Sequence, residues 1–295
     1  MRHQWNIRGR TLDLSERALV MGIVNVTPDS FSDGGRWTDA NAAIDHALAM
    51  VEEGADLLDV GGESTRPGSD PVPADEEIRR VLPVVEALAK KTSVPLSIDT
   101  MKAEVARRCL DAGAHLVNDV TALTGDPEMA GVVRQYDAGA VLMHMRGMPK
   151  DMQDNPQYDD VVATISNYFG ERLKTLENQG VAPLKLALDP GFGFGKTVEH
   201  NMEILARLAE FATWQRPILL GVSRKGFLGP ITGRPRNERA VTTAAIGGWA
   251  LARQAARIFR VHDVGPMRDV VRVAAAMEAA ERTWKSNPLE ASGAR

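Results

Sequence analysis

Short apolar runs recur along the chain, and each ends in polar side chains. Residues 20–24 lead into Asn25, 57–60 into Gly61, Gly62 and Glu63, 96–98 into Asp99, and 116–117 into Asn118 and Asp119. Farther on, 141–143 lead into His144, 186–188 into Asp189, 218–222 into Ser223, Arg224 and Lys225, and 258–259 into Arg260 and His262. That makes about eight runs of strand length, most of them followed by a helical pattern. Ile44, Ala47, Leu48 and Val51 share one helical face after the first run, and Ile78, Val81, Leu82 and Val85 share one after the second. Further helices are predicted over 102–112, 127–136, 160–179, 198–211, 240–255 and 266–285, with Gly113 and Gly180 placed as C-terminal stops. Ahead of the alternation, Trp5, Asn6 and Ile7 face Thr11 to Leu14 across Gly9, which reads as a hairpin.

Strand-then-helix repeated about eight times predicts an α/β fold, a (β/α)8 TIM barrel. The short N-terminal hairpin should plug its bottom. A doubly wound open sheet would need fewer units or a switch point. The chain of 295 residues suits one barrel. It is expected as a single domain over 1–285 with a small polar tail, frayed, over 286–295. The long polar stretches 27–38, 61–74, 146–159 and 224–238 all follow strands. That places them on one face, over the mouth where such barrels carry their active sites.

Composition narrows the function class. A net charge of −4 leaves no global basic footprint for nucleic acid. The single cysteine, Cys109, excludes an intrachain disulfide and a zinc site of several thiolates, and inside a predicted helix it reads as a small core residue. The N-terminus has no apolar signal core, and no run approaches a membrane span. A cytoplasmic protein is expected.

The strand ends carry the candidate chemistry. Asp99, Asn118 and Asp189 end runs that should be deeply buried, where a carboxylate costs several kcal/mol unless paired. Acceptors converging in a dry mouth suit a ligand edge rich in N–H donors, and fixed carboxylates can oppose developing positive charge. Lys225, Arg260 and His262 supply the opposite sign after the last two strands, where barrels often hold phosphate. Arg260 and His262 are two apart, so they share a side. Asn25 and Asp33 are turn formers or oxygen ligands for a hard metal ion. Glycines around Thr65, Arg66 and Pro67 make a loop with exposed N–H groups. Phe192 and Phe194 in a glycine-spaced run could wall a planar ring, and Met143 its other face or the core.

These segments resemble the bacterial dihydropteroate synthase family along nearly the whole chain. The resemblance rests on 25–35, 59–68, 97–100, 118–120, 143–147, 189–194, 223–225 and 260–263. It implies condensation of 6-hydroxymethyl-7,8-dihydropterin diphosphate with p-aminobenzoate, giving 7,8-dihydropteroate and diphosphate in folate synthesis. Mg²⁺ and a homodimer come with it, and sulfonamides are expected as competitors of p-aminobenzoate. Carried over residue by residue, it places the pterin on Asp99, Asn118, Met143, Asp189, Phe194 and Lys225. It places the diphosphate on Asn25, Arg260 and His262, Mg²⁺ on Asn25 and Asp33, and p-aminobenzoate on Phe31, Thr65, Arg66 and Pro67. Asp99, Lys225, Arg260 and His262 form the catalytic set. One departure is Gly226, where several members have Ser or Arg; it removes a side-chain contact to the p-aminobenzoate carboxylate. A methyltetrahydrofolate-dependent methyltransferase barrel is the first competing reading, but it needs no diphosphate clamp. A non-catalytic pterin-binding paralogue is the second, and it should have lost residues such as Asn25, Asp33 or Arg66.

Overall fold

The structure is a computed structural model and describes residues 4–15, 17–26, 36–65, 68–147 and 151–286. Phe31, Asp33, Arg66 and Pro67 therefore lie outside the described residues, as does the tail beyond Ser286.

The chain opens with a hairpin, β1 (Gln4–Ile7) and β2 (Arg10–Asp13), turning at Gly9 in the left-handed region (φ +64). The barrel strands are β3 (Leu19–Asn25), β4 (Leu57–Gly61), β5 (Leu96–Asp99), β6 (Leu116–Asp119), β7 (Gly139–Met143), β8 (Leu186–Asp189), β9 (Leu219–Leu220) and β10 (Ile258–Val261). All neighbours pair in parallel in the order β8-β7-β6-β5-β4-β3-β10-β9. A parallel bridge between Leu188 and Ile218 joins the two ends. The helices are α1 (Arg36–Glu52), α2 (Ala74–Lys91), α3 (Ala103–Asp111), α4 (Met129–Gln135), α5 (Val161–Asn178), α6 (Val198–Ala206), α7 (Leu228–Thr232), α8 (Ala240–Ala252) and α9 (Val264–Ser286). None among the described residues is long and apolar enough to cross a membrane.

Period-two alternation divides every strand between two cores. Outward residues such as Val20, Val60, Ile98, Leu142 and Leu188 pack against the helices. Inward residues Met21, Leu57, Leu116, Val141, Ala187, Leu219 and Ile258 fill the lower barrel. Trp5, Ile7 and Leu14 of the hairpin join that inner cluster, and Trp5 Nε1 donates to the Lys185 carbonyl at 2.9 Å. The hairpin thus stops the barrel bottom. Above this apolar floor the inward positions turn polar, with Asp59, Asp99, Asn118, Asp189 and Arg260 in their places.

Three elements differ from the sequence expectation. The helix expected over 198–211 breaks after Ala206 into a 3-10 turn, Leu208–Trp214. Arg207 leaves helical geometry (φ −105, ψ 11), its guanidinium bound by Glu203, Glu210 and Asp160, while Phe211 is drawn fully into the core. The run 218–222 pairs regularly only at Leu219–Leu220. The stretch 224–238, expected as loop, contains α7 and a 3-10 turn, Arg236–Glu238. Cys109 is a buried core residue, as its helical setting implied.

Candidate active site

At the C-terminal end of the strands lies a cavity of about 680 Å³. Asn25, Thr65, Asp99, Phe194, Lys225, Arg260 and His262 all line it. Asn118, Asp189 and Met143 stand behind that lining, 5%, 6% and 4% exposed.

The acceptors come from strand ends. Asp99 closes β5, and Gly61 beside it on β4 leaves room: a Cβ there would lie 3.3 Å from the Cβ of Asp99. Asn118 closes the inward side of β6 next to Asp99 in register. Asp189 ends β8 and accepts the Gly191 backbone N–H at 2.7 Å, which fixes its carboxylate at the start of the glycine-rich turn. Burial raises the pKa of Asp189, and raises that of Asp99 to about 7 with Arg260 opposing.

The turn after β8 needs its glycines. Gly191 has φ +73, and a Cβ there would collide with the His144 carbonyl at the exit of β7. The turn is tied down by Lys196, which sequence reasoning missed. Its ammonium donates to the carbonyls of Gly191 (2.9 Å), Phe194 (3.0 Å) and His144 (3.2 Å), and lies 3.1 Å from His144 Nδ1. Burial lowers the pKa of Lys196 to about 7. Phe194 is thereby held under Lys225, whose ammonium is 4.1 Å from the ring centroid. Met143, Val120, Met152 and Phe194 form a small apolar cluster that can face a flat ring. Phe192 does not join this wall; it stacks on Phe227 at 6.2 Å in the core.

The cations follow β9 and β10. Arg224 takes a left-handed conformation (φ 55) and grips Asp263 through both arms of its guanidinium. That turn presents Lys225, whose pKa burial lowers to about 8. Ser223 Oγ lies 2.9 Å from His262 Nδ1, and the His262 backbone N–H donates to the same hydroxyl at 3.1 Å. Burial, then Arg260, brings the His262 pKa down to about 3, so the ring is neutral near pH 7 and serves as a polar contact. Arg260 reaches back into the barrel, Nε to Asp59 at 2.6 Å and its terminal nitrogen to Asp99 at 2.6 Å. Burial opposes its charge, but Asp59 and Asp99 outweigh that and hold it protonated.

Asp59 is the second residue the sequence reading passed over. It lies within the apolar run of β4, is 0% exposed, and also accepts from Asn118 Nδ2 at 2.9 Å. The signal was a lone carboxylate at an inward position of a buried strand. Glu63 lines the mouth and pairs with Lys102, which also binds the buried Glu77 at 2.5 Å, so the base of the 61–65 loop is pinned to α2 and α3. Gly226 lines the mouth with open space around its missing side chain. Asn25 ends β3 at the same rim.

Residues 21–262 match the model of a family described as pterin binding enzyme. The chain is 46% identical over 274 residues to the dihydropteroate synthase of Escherichia coli (strain K12), covering 93% of this chain and 96% of that one. It is similar to the solved dihydropteroate synthase of Xanthomonas albilineans with 4-aminobenzoic acid, at TM-score 0.88 and 46% identity over 95% of this chain and 99% of that one. The same organism's enzyme in complex with 7,8-dihydropteroate gives TM-score 0.84 and 44% identity, covering 94% and 99%.

Proposed function

Because the chain belongs to the pterin-binding enzymes, among the dihydropteroate synthases, we propose how its barrel mouth carries out their condensation. It is a transferase of folate synthesis: it joins 6-hydroxymethyl-7,8-dihydropterin diphosphate to p-aminobenzoate and releases 7,8-dihydropteroate and diphosphate. The observation that carries the assignment of roles is one cavity lined by Asp99, Lys225, Arg260 and His262, with the strand-end acceptors Asn118 and Asp189 buried behind that lining.

Asp189 and Asn118 receive the N–H edge of the pterin. Phe194 and Met143 wall its faces, and Lys225 caps the Phe194 side. Arg260, His262 and Asn25 take the diphosphate. The bond between the exocyclic methylene and the diphosphate oxygen breaks with its electron pair leaving on oxygen. Asp99 opposes the cation left on the ring. The aniline nitrogen then attacks the methylene, and the resulting anilinium sheds a proton. Thr65 belongs to the aniline side of the mouth, with Phe31, Arg66 and Pro67 as its expected companions. No protein nucleophile is required.

Mg²⁺ fits the donor chemistry at Asn25, whose amide oxygen is a hard ligand. Among the described residues no group of three metal-binding side chains comes together, so diphosphate oxygens and water would complete the shell, with Asp33 as the expected second protein ligand. When bound, Mg²⁺ neutralises charge on the leaving diphosphate. We place the reaction in the cytoplasm, with sulfonamides competing for the aniline side.

The test is diphosphate release from the pterin substrate on adding p-aminobenzoate, followed against pH. kcat/KM should rise as pH passes about 7, where Asp99 ionises, and fall above about 8, where Lys225 loses its charge. Lys225→Arg should move the alkaline limb beyond the accessible range. A flat profile between pH 6 and 9 in the wild type would remove Asp99 and Lys225 from the charge-bearing set. The same raised value in Asp99 favours the folded state while protonated and costs stability as pH rises through about 7.

The homodimer reading is supported by an apolar face on α8 and α9. Val241 and Trp249 on α8, and Val273, Met277 and Trp284 on α9, are 54–77% exposed, and the two helices pack side by side. Residues 273, 277 and 284 share one helical stripe. Such a patch on a monomer marks an interaction surface. Trp249→Glu with Val273→Asp should turn a dimer into monomers in sedimentation velocity; a wild type that sediments as a monomer at micromolar concentration defeats this part.

A further inference from the structure

We propose that Asp59 is a positioning residue of the reaction, which fixes the direction in which Asn118 offers its carboxamide to the pterin. The proposal rests on the pterin reading of the site and adds a residue that touches no substrate.

The geometry begins with barrel layering. Alternate strands supply side chains to one interior layer. Asp59 on β4, Asn118 on β6 and Arg260 on β10 come from alternate strands, and they do meet: Asn118 Nδ2 and Arg260 Nε both donate to Asp59 Oδ2, at 2.9 and 2.6 Å. The side chain of Asp59 is 0% exposed, and its other oxygen has no partner among the described residues. A fully buried carboxylate is expensive, and an apolar residue would close the layer more cheaply. The layer below does so with Leu57, Leu116, Ala187 and Ile258. A reason other than stability is therefore needed at this position.

Chemistry supplies it. An ionised carboxylate only accepts hydrogen bonds, so whatever faces it must donate. A carboxamide has one donating and one accepting end. Asp59 therefore commits the Asn118 NH₂ group to the barrel interior and leaves Oδ1 as the end for the ligand. No other side chain among the described residues bonds to Asn118. Without Asp59 the amide could turn over and point donors at ring N–H groups. Asp59 also holds Arg260 beside Asp99, and repeating the measurement without the Asn118 carboxamide separates that route from the first.

The experiment is calorimetric binding of bare 6-hydroxymethylpterin to the full-length protein. Asp59→Asn keeps the volume while giving Asn118 a partner that pairs either way round. Pterin affinity should fall about tenfold. In the Asn118→Ala background the same change should add less than about twofold, because the group it orients is gone. A tenfold loss that persists in the Asn118→Ala background overturns the proposal, as does unchanged affinity of a folded Asp59→Asn protein. Should Asp59→Asn not fold, the exchange Asp59→Asn with Asn118→Asp restores one carboxylate and one amide and still shows the ring an acceptor. That variant should bind pterin within about threefold of wild type; a folded exchange variant without pterin binding overturns the proposal. Absence of pterin binding by the wild type refutes the reading of the site itself, which separates the two failures.

Discussion

Arg260→Met should be the most disruptive single change in the mouth. The guanidinium bridges Asp59 and Asp99 at 2.6 Å on each arm, and Asp59 is fully buried. Removing it leaves two carboxylates facing one another with no cation between them. Breaking a buried pair in this way typically costs ~3 kcal/mol or more, so the urea midpoint should drop clearly. Function should fall for a separable reason. Arg260 is held against two carboxylates, and with the proposed diphosphate role its loss should weaken binding of the pterin diphosphate far more than binding of the bare pterin. Equal weakening of both ligands would show that Arg260 acts only through the architecture of the mouth. Without the arginine, burial of Asp99 is also less opposed, so its pKa should rise further from about 7. The acid limb of the activity profile should then move to higher pH.

Asp189→Asn is expected to cost at least ~2 kcal/mol of pterin binding with little effect on folding. The amide oxygen can still accept from Gly191 N–H, which the carboxylate accepts at 2.7 Å in the parent, so the turn after β8 should survive. What changes is the end facing the ligand, where an NH₂ would meet N–H donors. Burial already holds the Asp189 carboxyl above its ordinary pKa. A ligand that donates to it therefore relieves an existing cost. Calorimetry with the bare pterin decides the point: affinity equal to the parent's would take Asp189 out of the binding set.

Much of the molecule was legible in the chain itself. Apolar runs ending in polar signatures predicted the barrel strands, because an inward–outward alternation must bury one face on the helices and the other in the barrel. The polar ends followed from the same rule, since only the open end of a barrel can host groups such as Asp99, Asp189 and Arg260 near solvent. Trp5, Ile7 and Leu14 read as a hairpin from their spacing around Gly9, and they do stop the barrel floor.

What a linear reading could not supply is which side chain meets which. Asp59 was hidden in an apolar run, and its importance depends on strands β6 and β10, far away in sequence, delivering Asn118 and Arg260 to one oxygen. Lys196 follows a glycine-rich stretch and carries no local signal of its own; only the approach of the β7 exit makes it the tie that holds Phe194 in place. The sequence grouped His262 with the cations Lys225 and Arg260; its burial beside Arg260 corrects that to a neutral ring. Phe192 and Phe194 were equivalent as letters, and packing sent one to the core and the other to the pocket wall. Periodicity and turn chemistry are local and can be read along the chain. Hydrogen-bond polarity, pairing and desolvation are properties of neighbours, and only the closed barrel settles who the neighbours are.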